Sequence, residues 1–521
     1  MLRNGCLWAD RFRWVFCQLE TLRQCLPASV RPILAELPET LDATYERILS
    51  DIPKSNRVHA HRLLQCLTVA FRPLQVKELA EVLAVDFMPM GGTPKLKEDL
   101  RWEDQEQAVL TACSSLIAVV KDKDSRVVQF SHFSVKEFLT SDRLATSKMD
   151  ASRYHHIRFR EAHSIMAQAC LSVMLRLDYD IDMESIRNFP LAQYAAKYFG
   201  DHIEFDNVLS DIRDGVDDLL DSNKPHFAAW LWMLDGRYSY GQPQQPQQQK
   251  VVPLYHVAES GYFALVQHLI SRCPEDLNAT GNAGTLLHAA SWRGHAKIVE
   301  LLLEHFVDVD VRNSSNGTPL HLAAARGSLE VTRKLVERNA DINSRDDQGM
   351  TPLYKVVSGR HGDSGSDVVK FLLAHGADAD TRDKDDSTLL HLASYGGCVG
   401  IAQLLLENGA NIHAQNKNGW TPLHQSLLAV TDDVGTYYFD VIRFLLVYGA
   451  DVDAQDIDHS TPLHIAARWK SFKAARLLLD HGASVHLQNN KGETALQVAL
   501  ANHSEEFAQF LSEYSQSEKK I

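Results

Sequence analysis

The chain has 521 residues, 45% hydrophobic and 23% charged, with 67 acidic against 53 basic side chains and a formal net charge of −14. This is the composition of folded globular protein, and its acidic excess argues against nucleic acid and anionic membrane, neither of which is attracted to a negative surface. The eight cysteines (Cys6, Cys17, Cys25, Cys66, Cys113, Cys170, Cys273, Cys398) form no C-x-x-C pair, which argues against a zinc site and a dense disulfide framework.

Taken from the start, Met1 to Asp10 lacks a charged start followed by an apolar run and does not read as a signal peptide. No later stretch approaches the roughly 18 apolar residues that span a bilayer. The expectation is an intracellular, cytoplasmic chain without a cofactor. Residues 58–143 read as a small mixed α+β domain. Val58 to Ala70 is predicted helical, Arg72-Pro73 turns the chain, and Val76, Leu79, Ala80 and Leu83 recur at helical spacing. Leu116 to Val120 and Val127 to Phe130 flank a polar stretch and predict a hairpin. Helices followed by a hairpin look like a winged helix. With 11 basic and 12 acidic residues, and with Lys77, Glu78 and Glu81 giving the second helix a negative face, the domain offers no basic stripe for phosphates. It is expected to pack on protein.

Residues 144–235 read as a helical connector, from the spacing of Ala162, Ile165, Met166, Ala169 and Cys170 and of Leu191, Tyr194, Ala195 and Tyr198. His155, His156 and His163 have no acidic or cysteine partners at ligand spacing, so no metal is expected there. Residues 236–250 form a Pro/Gln-rich linker.

From 251 to 516 the sequence repeats. The tetrad Thr-Pro-Leu-His stands in full at Thr318, Thr421 and Thr461, with weaker copies starting at Val252, Thr285, Thr351, Thr388 and Thr494. Successive starts are separated by 33, 33, 33, 37, 33, 40 and 33 residues. This tetrad and period resemble the ankyrin repeat, about eight units long. In each unit Thr caps a helix, Pro occupies its first turn, and a second helix ends on a left-handed Gly such as Gly449. His288, His321, His391, His424 and His464 recur at one motif position, which predicts hydrogen bonding between units rather than metal binding. The two longer units carry their extra residues near Gly359 to Asp367 and Ala429 to Asp440, between the two helices of each. Gly362-Asp363-Ser364-Gly365 is similar to the nucleophile segment of trypsin-like proteases, but it sits in a helical repeat without the strand context, and reads as a loop.

Ankyrin arrays bind through hairpin tips and the exposed ends of the first helices. By register those positions include Met350 and Trp420 just before their tetrads, and Trp292, Arg293, Arg326, Tyr395, Arg468 and Trp469 at first-helix ends. Exposed Trp, Tyr and Arg are the usual hot-spot types, although each could equally pack on an adjacent unit.

The segments before the repeats also resemble a family. Phe12-Arg13-Trp14, Cys17-Gln18-Leu19 and the run Leu37 to Leu49 look like the region after the nucleotide-binding core of fungal NACHT proteins. His132 to Leu139 is similar to the end of their winged-helix domain, and Leu191 to Tyr198 to the helical stretch that follows. On this resemblance residues 1–57 form a helical tail that follows a NACHT core, and that core would be supplied by a longer chain. No Gly is followed directly by Lys, so the G-x-x-x-x-G-K-[S/T] loop that holds phosphates is absent and no nucleotide-binding residue carries over. A G-x-S-x-G nucleophile elbow is absent as well. The reading is a mainly α, non-enzymatic protein: the sensor or scaffold part of a NACHT–ankyrin signalling protein, or else a stand-alone ankyrin adaptor such as a ubiquitin-ligase substrate receptor.

Overall fold

Thr40, itself extended, caps helix α1 (Leu41–Ser50), its hydroxyl accepting the Ala43 N–H at 3.2 Å. The computed structural model describes residues 40–87, 92–113, 116–122, 125–182, 184–234, 252–359, 365–428 and 436–518. The Phe12–Leu19 segment, the first residues of the Leu37–Leu49 run, the whole Pro/Gln linker and Gly362–Ser364 lie outside them. The chain is mainly helical and divides between Pro253 and Leu254 into two units.

In the first unit, α2 (Arg57–Val69) leads through strand β1 (Leu74–Gln75) into α3 (Val76–Leu83). A short ribbon pairs β2 (Val85–Asp86) with β3 (Lys95–Leu96) and precedes α4 (Gln105–Cys113). The predicted hairpin follows as β4 (Ile117–Asp122) and β5 (Ser125–Phe130), antiparallel from Ile117↔Phe130 to Asp122↔Ser125. The two-residue β1 joins β5, giving the sheet order β1-β5-β4. Three helices and this sheet, in this order, make a winged helix. Helix α1 packs back on it: the Tyr45 hydroxyl lies 3.0 Å from Ser134 Oγ, and its ring rests on Phe138 of α5 (Phe133–Leu139).

One sequence expectation is overturned here. Glu78 and Glu81 do not form an exposed negative face, being 2% and 3% exposed. Glu78 closes a capping box on α3 and receives both Arg72 Nη atoms at 2.8 and 2.6 Å. Glu81 receives Arg101 at 2.6 Å and the backbone N–H of Leu191, 110 residues away, at 2.7 Å. Buried carboxylates are tolerated only when paired in this way.

The connector is built on α6 (Phe159–Met174), which packs on α2 and on α7 (Ala192–Ile203). Between them runs a buried polar chain. The Phe71 N–H donates to the Tyr194 oxygen at 3.2 Å, Tyr194 meets His202 Nε2 at 3.0 Å, and His202 Nδ1 lies 2.9 Å from His163 Nδ1. Tyr194 thus accepts from the backbone of Phe71, and one of the two facing Nδ1 atoms carries the proton that the other accepts. Both imidazoles are neutral. Burial holds the pKa of His163 at about 4 and that of His202 at about 3. Helix α8 (Pro225–Leu234) closes the connector, with the Trp230 indole N–H on the Ala196 carbonyl at 2.8 Å.

Among the described residues the second unit is a row of eight helix pairs, from Pro253–Ser260 with Phe263–Arg272 to Ala495–Ala501 with Glu505–Glu518. First helices stack on first helices and second on second, so each unit's apolar face is covered by its neighbours. The interior residues are small or branched, such as Leu320, Ala323, Ala324, Val331 and Leu335, all fully buried. In the two long units the helices end and resume at Ser358 and Ser366, and at Ser426 and Thr436. The segment near Ala429 to Asp440 is therefore only partly between the helices, because from Thr436 on it belongs to a second helix of 12 residues. Among the described residues no helix is long and apolar enough to cross a membrane.

Candidate partner-binding face

The face is positioned by two hydrogen-bond devices repeated along the array. In the first, the tetrad Thr and His form a reciprocal cap. At Thr388 the backbone N–H donates to His391 Nδ1 at 3.1 Å, which leaves the proton on Nε2, and Nε2 donates to the Trp420 carbonyl of the next unit at 2.8 Å. His288, His321, His424 and His464 reach the carbonyls of Gly317, Met350, Ser460 and Glu493 at 2.9–3.2 Å. Burial lowers the pKa of all five. Two units carry tyrosine instead. Tyr255 accepts from the Ala283 N–H at 3.0 Å, and Tyr354 donates to Asp383 at 2.9 Å. The last unit has Gln497, which makes only the local cap.

The second device shapes the hairpins. Asp346, Asp383, Asn416, Asp456 and Asn489 each accept two backbone N–H groups of their own turn at 2.7–3.1 Å. Neighbouring tips are then linked through backbone, Lys417 N–H to Asp385 O and Ile457 N–H to Asn418 O. Tips and first helices are thereby held in register along the array.

Along this register the candidate residues divide. Trp292, Tyr395 and Trp469 stand at first-helix ends, 40%, 50% and 48% exposed, and Arg326 and Arg468 beside them are exposed. Arg293 is exposed but reaches back to Glu259 at 2.8 Å. Met350 and Trp420, read from the sequence as exposed, are half-buried. Met350 is held by its own turn at Asp346 and its sulfur meets Lys355 Nζ at 3.5 Å. The Trp420 indole N–H points to Asp456 of the next unit at 3.2 Å. Sequence reasoning missed Ile457, 62% exposed at a hairpin tip. The same register position holds Asp347, Lys384, Lys417 and Asn490, and an apolar residue among them was the available signal. Among the described residues no group of three or more His, Cys, Asp or Glu is arranged to hold a metal ion.

Comparison with known proteins adds the following. The family model described as "Ankyrin repeats (3 copies)" matches residues 254–346, 341–416, 360–434 and 427–521, just over half of the chain. The model of the "GPI inositol-deacylase, winged helix domain" matches residues 46–149. The chain is 30% identical over 297 residues to azaphilone pigments biosynthesis cluster protein L of Monascus ruber, which covers 53% of this chain and 61% of that protein. It is 36% identical over 103 residues to protein phosphatase 1 regulatory subunit 27 of Mus musculus, covering 20% of this chain and 62% of that one. The chain thus spans less than two thirds of either relative. The human ASB11 ankyrin repeat domain is 27% identical, covering 43% of this chain and 96% of that domain, at a TM-score of 0.37.

Proposed function

Because the chain belongs to the ankyrin-repeat family, we propose that it is a non-catalytic interaction protein whose array captures a protein partner along its first-helix ends and hairpin tips. The observation that carries this reading is the pair of exposed tryptophans, Trp292 and Trp469, which with Tyr395, Arg326 and Arg468 occupy the two positions that end the first helices. Large aromatic side chains left open on a rigid scaffold are what protein hot spots are made from. Arg293, Met350 and Trp420 flank them as positioning residues.

The N-terminal unit suits a signalling role. Its match to a winged-helix model and the Monascus ruber relative support the reading of a fungal NACHT–ankyrin protein in which this unit joins the sensor array to a switch. The third helix, α4, is where a winged helix would read DNA, and it carries Glu106 and no Lys or Arg, which supports a protein role for this domain. The array can also be read as a stand-alone adaptor, favoured by its similarity to a phosphatase regulatory subunit.

The test is comparative affinity capture from native cells with the full chain, with Trp292→Ala/Trp469→Ala, and with residues 40–234 deleted. Proteins retained by the full chain and lost in the double variant support the array as the binding face. Equal capture by the double variant overturns it. Equal capture by the deletion, with no signalling defect in cells, favours the adaptor.

A further inference from the structure

The first unit contains a cavity of about 650 Å3 that no part of the partner-binding reading uses. It lies between the outer face of α2, the turn around Tyr154 and the start of α6. In a chain of net charge −14, its wall is cationic: Arg62, Arg153, Arg158 and Arg160 line it against the carboxylates of Glu161 and Asp211.

These arginines are not equivalent. Arg153 pairs with Asp150, Arg158 with Glu161 at 3.0 Å, and Arg160 with Asp211 at 2.8 Å. Arg62 makes no ion pair among the described residues. It lies 4.3 Å over the Phe87 ring, and neighbouring Asp86 is engaged by Lys97 at 2.7 Å. A half-buried guanidinium without a counter-ion is an unfavourable arrangement that an anion would relieve.

Two further features meet at the same wall. The 16-residue helix α6 begins at the cavity, and its N-cap residue Arg158 makes no side-chain cap, so the positive end of the helix faces the space around Arg158 and Arg160. His61 also lines the cavity with its buried Nδ1 unpartnered. Behind it His155 is fully buried, with neither ring nitrogen bonded and its ring 5.7 Å from that of His61. Planar guanidinium forks and helix N–H groups are the donors that recognise tetrahedral phosphoryl oxygens. The volume is that of a small-molecule site.

We propose that this cavity binds a phosphoryl group, with Arg62 as its principal ligand and His61, Arg158 and Arg160 around it. The carrier is a phosphorylated small molecule or a lipid headgroup. The full chain is titrated with pyrophosphate by calorimetry at low and high salt, beside Arg62→Met and Glu161→Gln. Methionine keeps an apolar stem on Phe87 and removes the charge together with the guanidinium N–H donors. Glutamine removes one competing carboxylate and frees Arg158. The expected result is saturable binding that weakens with salt, about tenfold weaker in Arg62→Met and several-fold tighter in Glu161→Gln. Absence of saturable binding, or identical binding in both variants, overturns the proposal. If Arg62→Met does not fold, Glu161→Gln decides alone: tightening supports the site and unchanged affinity overturns it. Phosphatidylcholine vesicles with and without phosphatidic acid separate the sources. Acid-dependent retention that Arg62→Met abolishes supports a headgroup. Pyrophosphate binding without retention supports a free phosphate.

Discussion

His391 donates through Nε2 to the carbonyl of Trp420 in the next unit, at 2.8 Å, while its Nδ1 accepts the N–H of Thr388. One ring therefore caps the start of one helix and fastens the next hairpin. His391→Ala leaves a buried N–H and a carbonyl unpaired and opens a cavity, a loss of about 3 kcal/mol in urea unfolding. His391→Gln keeps the local cap, as Gln497 does at the end of the array, and loses only the bridge. Its loss is expected at about 1–2 kcal/mol. Equal losses in the two variants would show that the bridge contributes nothing.

Acid is expected to loosen both units. Burial lowers the pKa of the five repeat histidines and holds those of His163 and His202 at about 4 and about 3. The unfolded chain then takes up protons at a higher pH than the folded one, so stability is complete above the ordinary value of about 6.5 and falls as the pH falls below it. In the first unit the fall continues to about pH 4 and below. Urea midpoints measured from pH 8 down to about pH 4.5 check this, and a flat profile refutes it.

Phe306 stands where Gly376, Gly409, Gly449 and Gly482 end the second helices of other units, with φ of +59° and 95% exposure. A bulky side chain in the left-handed region is strained and here gains no burial. Phe306→Gly is expected to raise the stability of the array by about 1 kcal/mol. Thermal unfolding of the full chain reads the change, and a lower midpoint would contradict the strain.

Substitution separates the tryptophans. Trp292→Ala and Trp469→Ala are expected to change stability by less than about 0.5 kcal/mol and to weaken partner binding by about 2 kcal/mol each. Trp420→Ala also loses its hydrogen bond to Asp456 and half-buried packing, at about 2 kcal/mol of stability. Unfolding and binding measured on the same three variants distinguish the two roles.

Glu81→Ala strips Arg101 and the Leu191 N–H of their shared partner. Removing one member of a buried ion pair destabilises by about 3–5 kcal/mol. The first unit's transition should move and the array's should not. An unchanged first transition would mean that the pair is dispensable.

The period of 33 residues, the Thr-Pro start and the Gly ends determined the array from sequence alone, because each is a local demand of helix termini met within a few residues. The winged hairpin was legible in the same way. Helix α4 was not, since the adjacent Ala108, Val109 and Leu110 do not sort onto one face. Tertiary structure decided the remainder. Glu78 and Glu81 read as solvent-facing charges, and only the folded chain brings Arg101 and Leu191 to Glu81. Met350 and Trp420 read as exposed, and only the folded chain brings Lys355 onto Met350 and Asp456 of the next turn to Trp420. The cationic cavity joins residues 58–65 to residues 145–165 and to Asp211. Local termini are written in neighbouring residues, whereas burial and charge pairing depend on groups far apart in the chain, and no spacing rule connects those.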